Sequence, residues 1–260
     1  MEGIEKHRWP DPEEPGRYRG LKKKAKALHK DTNYAVVLQV NCAFFLRCAE
    51  LRGWEIFYMD LAANPEFAVA LMEKYLDIRL RMAEKALEEV GENIDIVMVS
   101  SDDLGMNDRT LVSPDMYCRL IEPLQKKTFA FFKAKTPAKR FYHCDGVIYP
   151  LMEDLIDIGV ETLNPIQVSA VGMGDTKRLK SDSETASPFG GQLTPGMCFH
   201  LDLPVTCGRK SGGDFSIWGP EADTWSVPFI TSSRKCPLKT WWPCLTRRMR
   251  SVDIPYRDPI

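Results

Sequence analysis

The sequence predicts an α/β fold with parallel strands, and three observations carry that prediction. Strand-length runs alternate with helix-length periodic stretches between residues 35 and 163. The clearest run, Ile94 to Val99, is apolar at nearly every position, as a strand covered on both faces should be. Successive strands joined through a helix lie parallel, with right-handed crossovers. A doubly wound sheet and a (β/α)8 barrel both satisfy this pattern.

The elements can be justified in order. Residues 1–20, rich in Pro, Glu, Arg and Gly, read as an extended entry segment, and Leu21 to Lys30 as a short basic helix whose Lys22, Lys23 and Lys24 form a solvated face. Ala35 to Val40 is a buried strand, and Cys42 to Arg52 is a helix that Gly53 ends. The strongest helix starts with Asn64 at the N-cap, Pro65 in the first turn and Glu66 beside the positive helix end, and it stops at Gly91. Phe67, Leu71, Tyr75, Ile78 and Met82 recur along it at steps of three and four, which predicts one buried face. Ser113, Pro114 and Asp115 open a further helix, with a kink expected at Pro123. Lys139 to His143 is the next strand, Pro150 to Ile158 a helix stopped by Gly159, and Val160 to Leu163 the last strand of the series.

Composition narrows the function classes. With 260 residues, 44% hydrophobic and 27% charged, the chain can form one large globular domain. Lys plus Arg (35) nearly balances Asp plus Glu (36), so no global field favours nucleic acid or an anionic membrane, and no apolar run is long enough to span one. The polar start, Met1 to Pro15, lacks the apolar core of a secretory signal, so a cytoplasmic location is expected. Cys42, Cys48, Cys118 and Cys144 stand singly, without a C-x-x-C pair, and read as inert thiols. Oligomeric state leaves no signal.

In either parallel architecture, chemistry collects at the carboxyl ends of the strands. Ser100, Ser101, Asp102, Asp103, Leu104 and Gly105 follow one strand; His143, Cys144, Asp145 and Gly146 end the next; Asn164, Pro165 and Gln167 follow the last. Acids, an imidazole and amides thus meet on one rim, which makes Asp102, Asp103, His143 and Asp145 the catalytic candidates and Asn164 and Gln167 the substrate-binding ones. Each has an ordinary alternative. A paired Asp at a strand end is often a helix cap, and a lone His is often a satisfied structural residue.

SSDDLGMNDRTLVSPDMYCRLIEPLQKK (100–127) and FYHCDGVIYPLMEDLIDIGVETLNPIQVSAVGM (141–173) carry four motifs in order. They are DD-x-G, a helix opened by Ser-Pro with a later Pro, H-x-D-G, and IGV-x-x-LNP-x-Q. Together these resemble the uroporphyrinogen decarboxylase family over residues 30–182. The resemblance implies a (β/α)8 barrel, of which this chain would carry a part. It also implies cofactor-free decarboxylation of a porphyrinogen-like substrate in porphyrin biosynthesis, with Asp102 and Asp103 at the barrel mouth, His143 and Asp145 on the next strand end, and Asn164 and Gln167 closing that side. The family also includes corrinoid-linked methyltransferases, which use zinc to activate a substrate thiol and carry an H-x-C pair. Here Asp145 stands at the second position of that pair, and Cys144 would point to the opposite side of a strand. Zinc and a corrinoid therefore enter only under the methyl-transfer alternative, and no metal is expected otherwise.

The resemblance further implies one or two barrel strands, and an arginine-containing segment, before Met1. After about residue 182 the alternating pattern stops: residues 183–260 hold nine of the 18 Pro and four of the six Trp, without helical or strand period. A one-base shift of reading frame over residues 188–201 and 229–246 permits the text that the family carries there, so this tail is expected to be out of frame. The chain then divides into a partial barrel over 1–182 and an irregular segment over 183–260. Unpaired parallel edges would leave it poorly soluble and of little activity, an inactive remnant or binding fragment being the third reading.

Overall fold

In the computed structural model, residues 1–32, 35–185, 198–202 and 249–253 are described. Helices α1 (Glu2–Lys6) and α2 (Leu21–Asp31) precede β1 (Ala35–Gln39). Then come α3 (Phe45–Arg52), α4 (Trp54–Ala63), the long α5 (Pro65–Val90) and β2 (Ile96–Ser101). A broken helix follows: α6 (Pro114–Met116), a π turn (Tyr117–Ile121) and α7 (Glu122–Lys135). The chain continues through β3 (Lys139–His143), α8 (Met152–Asp157), β4 (Thr162–Gln167) and α9 (Thr176–Thr185), with β5 (Cys198–Asp202) and β6 (Met249–Asp253) last.

All strand pairs are parallel, and the order is β5-β4-β3-β2-β1-β6. Sequential strands are therefore neighbours from β1 to β5, the sequence of staves in a barrel wall. The two faces of this wall differ. Val36 and Leu38 of β1, Val97 and Val99 of β2, Tyr142 of β3 and Leu163 of β4 join the helices in one large core. Val37, Ile96, Met98 and Phe141 form a separate small cluster on the other face, with no helical residue in it. A doubly wound sheet needs helices on both faces; among the described residues the helices pack on one face, which matches a partial (β/α)8 wall.

Local causes explain most elements. Ser113 caps α6 by accepting the Met116 N–H at 3.2 Å, and Asn64 occupies the N-cap of α5 without a side-chain cap bond. The buried stripe of α5 runs through Ala68, Met72, Leu76, Ala83 and Leu87, rotated from the stripe read in the sequence. Leu71, Ile78 and Met82 are buried, but Phe67 and Tyr75 only pack against the margin. Each fully buried Leu, Met or Phe contributes roughly 1.5–3 kcal/mol over exposure, so this stripe fixes the helix to the wall. The expected kink at Pro123 is realised as the π turn just before it, where the ladder is already broken. Helix α4 escaped the sequence reading because it is apolar on all sides. It buries Phe57 and Leu61 yet exposes Trp54, Ile56 and Met59.

Two short segments of the tail lie in the wall, β5 beside β4 and β6 beside β1, although no side-chain period marks them in the sequence. Parallel pairing uses backbone N–H and C=O groups, so it does not require the side-chain period that the reading relied on. Residues 186–197, 203–248 and 254–260, which include most of the text read as out of frame, lie outside the described residues. No helix among the described residues is long and apolar enough to cross a membrane.

Candidate functional site

The register sets Ser101 of β2 beside His143 of β3, and His143 beside Asn164 of β4, so three carboxyl ends meet at one level. Phe141, two residues before His143, lies in the inner cluster, which puts the imidazole on the same face at the mouth of the wall. Nδ1–H of His143 donates to Oδ1 of Asn164 at 3.0 Å. Its Nε2 stands 3.5 Å from Oδ2 of Asp145 and 3.9 Å from Oδ1 of Asp103. The ring is therefore fixed by an amide on one side and faces two carboxylates on the other.

Asp103 and Asp145 are tied to each other as well as to the ring. The Asp145 backbone N–H donates to Oδ1 of Asp103 at 2.9 Å, locking the loop after β3 to the loop after β2. Gly146 follows with φ +82, and a Cβ there would lie 2.4 Å from the Gly105 carbonyl carbon. Only glycine at both places lets the two backbones pass this closely. The Val147 N–H donates to the Met106 carbonyl at 2.8 Å and continues the seam.

Asp102 is not part of this cluster. Its carboxylate is fully buried and accepts the N–H groups of Phe44 at 2.9 Å, Phe45 at 3.3 Å and Leu46 at 3.0 Å, which are the orphan donors that begin α3. Adjacent acids thus do different work: Asp102 caps a helix from another element, and Asp103 faces the imidazole. Gln167 reaches the rim at the end of β4, where its Oε1 accepts the Gly146 N–H at 2.9 Å and its Nε2 donates to Asn107 at 2.8 Å.

Electrostatics follow from this packing. Burial pushes the Asp102 carboxyl up to about 6, against the pull of its three backbone donors. Burial also raises Asp103, and the Asp145 N–H partly offsets it. For His143 burial works downward, but the bonds to Asp145 and Asn164 and the charges of Asp145 and Asp103 outweigh it and hold the imidazole above its ordinary value. A protonated ring between two carboxylates can deliver a proton and be restored to its charged form.

Behind the mouth lies a buried chain of polar groups that sequence reasoning missed. Tyr117 donates to Gln125 at 2.7 Å, Gln125 to the Tyr142 hydroxyl at 3.0 Å, and Tyr142 to the Asp102 carbonyl at 2.7 Å. Cys144, pointing away from His143 into the helix-side core, accepts the Leu104 N–H on Sγ at 3.2 Å, and burial pushes its thiol well above the usual range. Tyr117 and Gln125 meet across the π turn, an irregularity that no sequence period announces.

Asp103, His143 and Asp145 each place one donor atom within 4.8 Å of the others, as do Cys118, Glu122 and Asp154 on the outer helices. No family model and no curated protein matches the chain. A solved structure of a methyltransferase from Methanosarcina mazei is similar over 57% of this chain and 40% of its own, at 19% identity and a TM-score of 0.42. The chain thus spans less than half of that protein's length.

Proposed function

We propose that the rim holding Asp103, His143, Asp145 and Asn164 is the acid–base site of an enzyme that decarboxylates a porphyrinogen-like small molecule without a cofactor. The observation that carries this reading is the His143 ring, fixed at Nδ1 by Asn164 and flanked at Nε2 by two carboxylates. Such a ring is aimed and held above its ordinary value, which favours the proton-bearing form that a donor to carbon needs. The chemistry balances with these groups alone. A proton enters a pyrrole carbon, the acetate carbon–carbon bond breaks and its electron pair flows into the cationic ring as carbon dioxide leaves. The resulting methylene takes up a proton to become methyl, and the pyrrole carbon returns the first proton.

The test is product formation from a porphyrinogen by the full chain and by H143Q. Loss of the donor is expected to lower the rate by about 10²–10⁴-fold. Equal rates for both would overturn the assignment of His143. A second reading, corrinoid-dependent methyl transfer to a thiol, is favoured by one feature, the three donor atoms within 4.8 Å of one another. Tight stoichiometric zinc together with turnover of methylcobalamin would select it over decarboxylation.

A further inference from the structure

We infer that Gln167 is a positioning residue: it fixes the main chain at Asp145, and through it the carboxylate beside His143, by tying three strand-end loops together. The argument rests on hydrogen bonds at both flanks of one residue. The amide before the Asp145 side chain, its own N–H, is held by Asp103 from the end of β2. The amide after it, the Gly146 N–H, is held by Gln167 from the end of β4.

Gln167 is itself oriented. Its Oε1 takes the Gly146 proton while its Nε2 donates to Asn107 Oδ1, and the Asn107 carbonyl accepts the Val171 N–H at 2.9 Å. Both ends of the amide thus make a bond to protein, one partner in the loop after β2 and one in the loop after β3, and these two bonds fix its orientation. The neighbouring contact between Gly105 and Gly146 gives the seam its closeness; the Asp103 and Met106 bonds hold it on either side, and Gln167 adds the tie to β4 at Gly146 itself.

This inference rests on the reading of His143 and Asp145 as an acid pair, and the experiment separates the two. In the full chain, Q167A is expected to speed Gly146 amide exchange about five- to tenfold, the effect of losing one hydrogen bond. It should also move the His143 ring nitrogen signals toward those of D145N. Q167E keeps an acceptor for Gly146, and Asn107 can turn its amide to donate, so Q167E should restore slow Gly146 exchange. In the decarboxylation assay Q167A should lower kcat about 10- to 100-fold with KM little changed, as misplacement of a catalytic group does.

A raised KM with unchanged kcat in Q167A would overturn the positioning role. So would His143 signals that shift in D145N but stay put in Q167A, an outcome that leaves the acid pair standing. Signals unmoved in D145N itself would refute the acid pair instead.

Discussion

Replacing Asp102 by Ala should destabilise the fold much more than replacing Asp103, although the two acids are adjacent. Asp102 is fully buried and satisfies three backbone donors at the start of α3, whereas Asp103 lies at the mouth and holds one N–H. Each buried donor left without a partner costs about 1–3 kcal/mol, so three give a gross loss of roughly 3–9 kcal/mol. Removing a buried carboxylate returns several kcal/mol of desolvation, and the first turn of α3 can take up some water. The net loss expected for D102A is about 2–4 kcal/mol. At roughly 2–4 °C per kcal/mol for a domain of this size, Tm should fall by about 4–16 °C. Thermal and urea unfolding followed by far-UV circular dichroism would measure it, with D103A, expected to lose under about 1 kcal/mol, as the control. If D102A melts with the parent, or if D103A costs as much, the trans-cap account of Asp102 is wrong.

Other consequences follow from the same geometry. Because the Asp102 carboxyl is pushed up to about 6 in the fold, the folded state binds its proton more tightly than the unfolded chain does, and stability should fall as pH rises from about 4 through 6. That slope should flatten in D102N, as read from urea midpoints across pH; an unchanged slope would assign it to another group. His143 is raised, so its charged form and the stability from its pairing persist below the folded-state value and are lost as pH rises through it. The alkaline limb of activity should therefore lie above about 6.5 in the parent and move to lower pH in D145N. G146A places a Cβ 2.4 Å from the Gly105 backbone at φ +82, and should cost about 3 kcal/mol or more by urea unfolding while lowering activity. A mild G146A would mean that the two loops can separate freely.

Much of the fold was legible because periodicity and punctuation agree. Pro65 with Gly91, and Ser113 with Pro114, mark helix ends that the structure reproduces closely. What escaped lacks those marks. Helix α4 has apolar residues on every side, and β5 and β6 join the sheet through backbone groups from text without period. The rim was legible as a set of strand-end residues, and the register brings Asp103, His143, Asp145 and Asn164 together. The polar chain through Tyr117, Gln125 and Tyr142 was not, since its members look like ordinary amphipathic residues until the helix and strand are packed.

The division of labour between Asp102 and Asp103 shows why residue type and strand position do not suffice. Strict alternation from Ile96 and Met98, which face the inner cluster, would carry Ser100 and then Asp102 to the inner face. Instead the pairing of β2 with β3 shifts register between Met98 and Ser100. Val99 and Ser100 both end up on the helix side, Val99 in the main core and Ser100 with its hydroxyl 3.4 Å from the Asp102 carboxylate. One extra residue in the strand reverses every side chain beyond it. The reversal sends Asp102 back to the start of α3 and turns Asp103 toward His143, so a backbone irregularity that no side-chain pattern announces decides which carboxylate meets the imidazole.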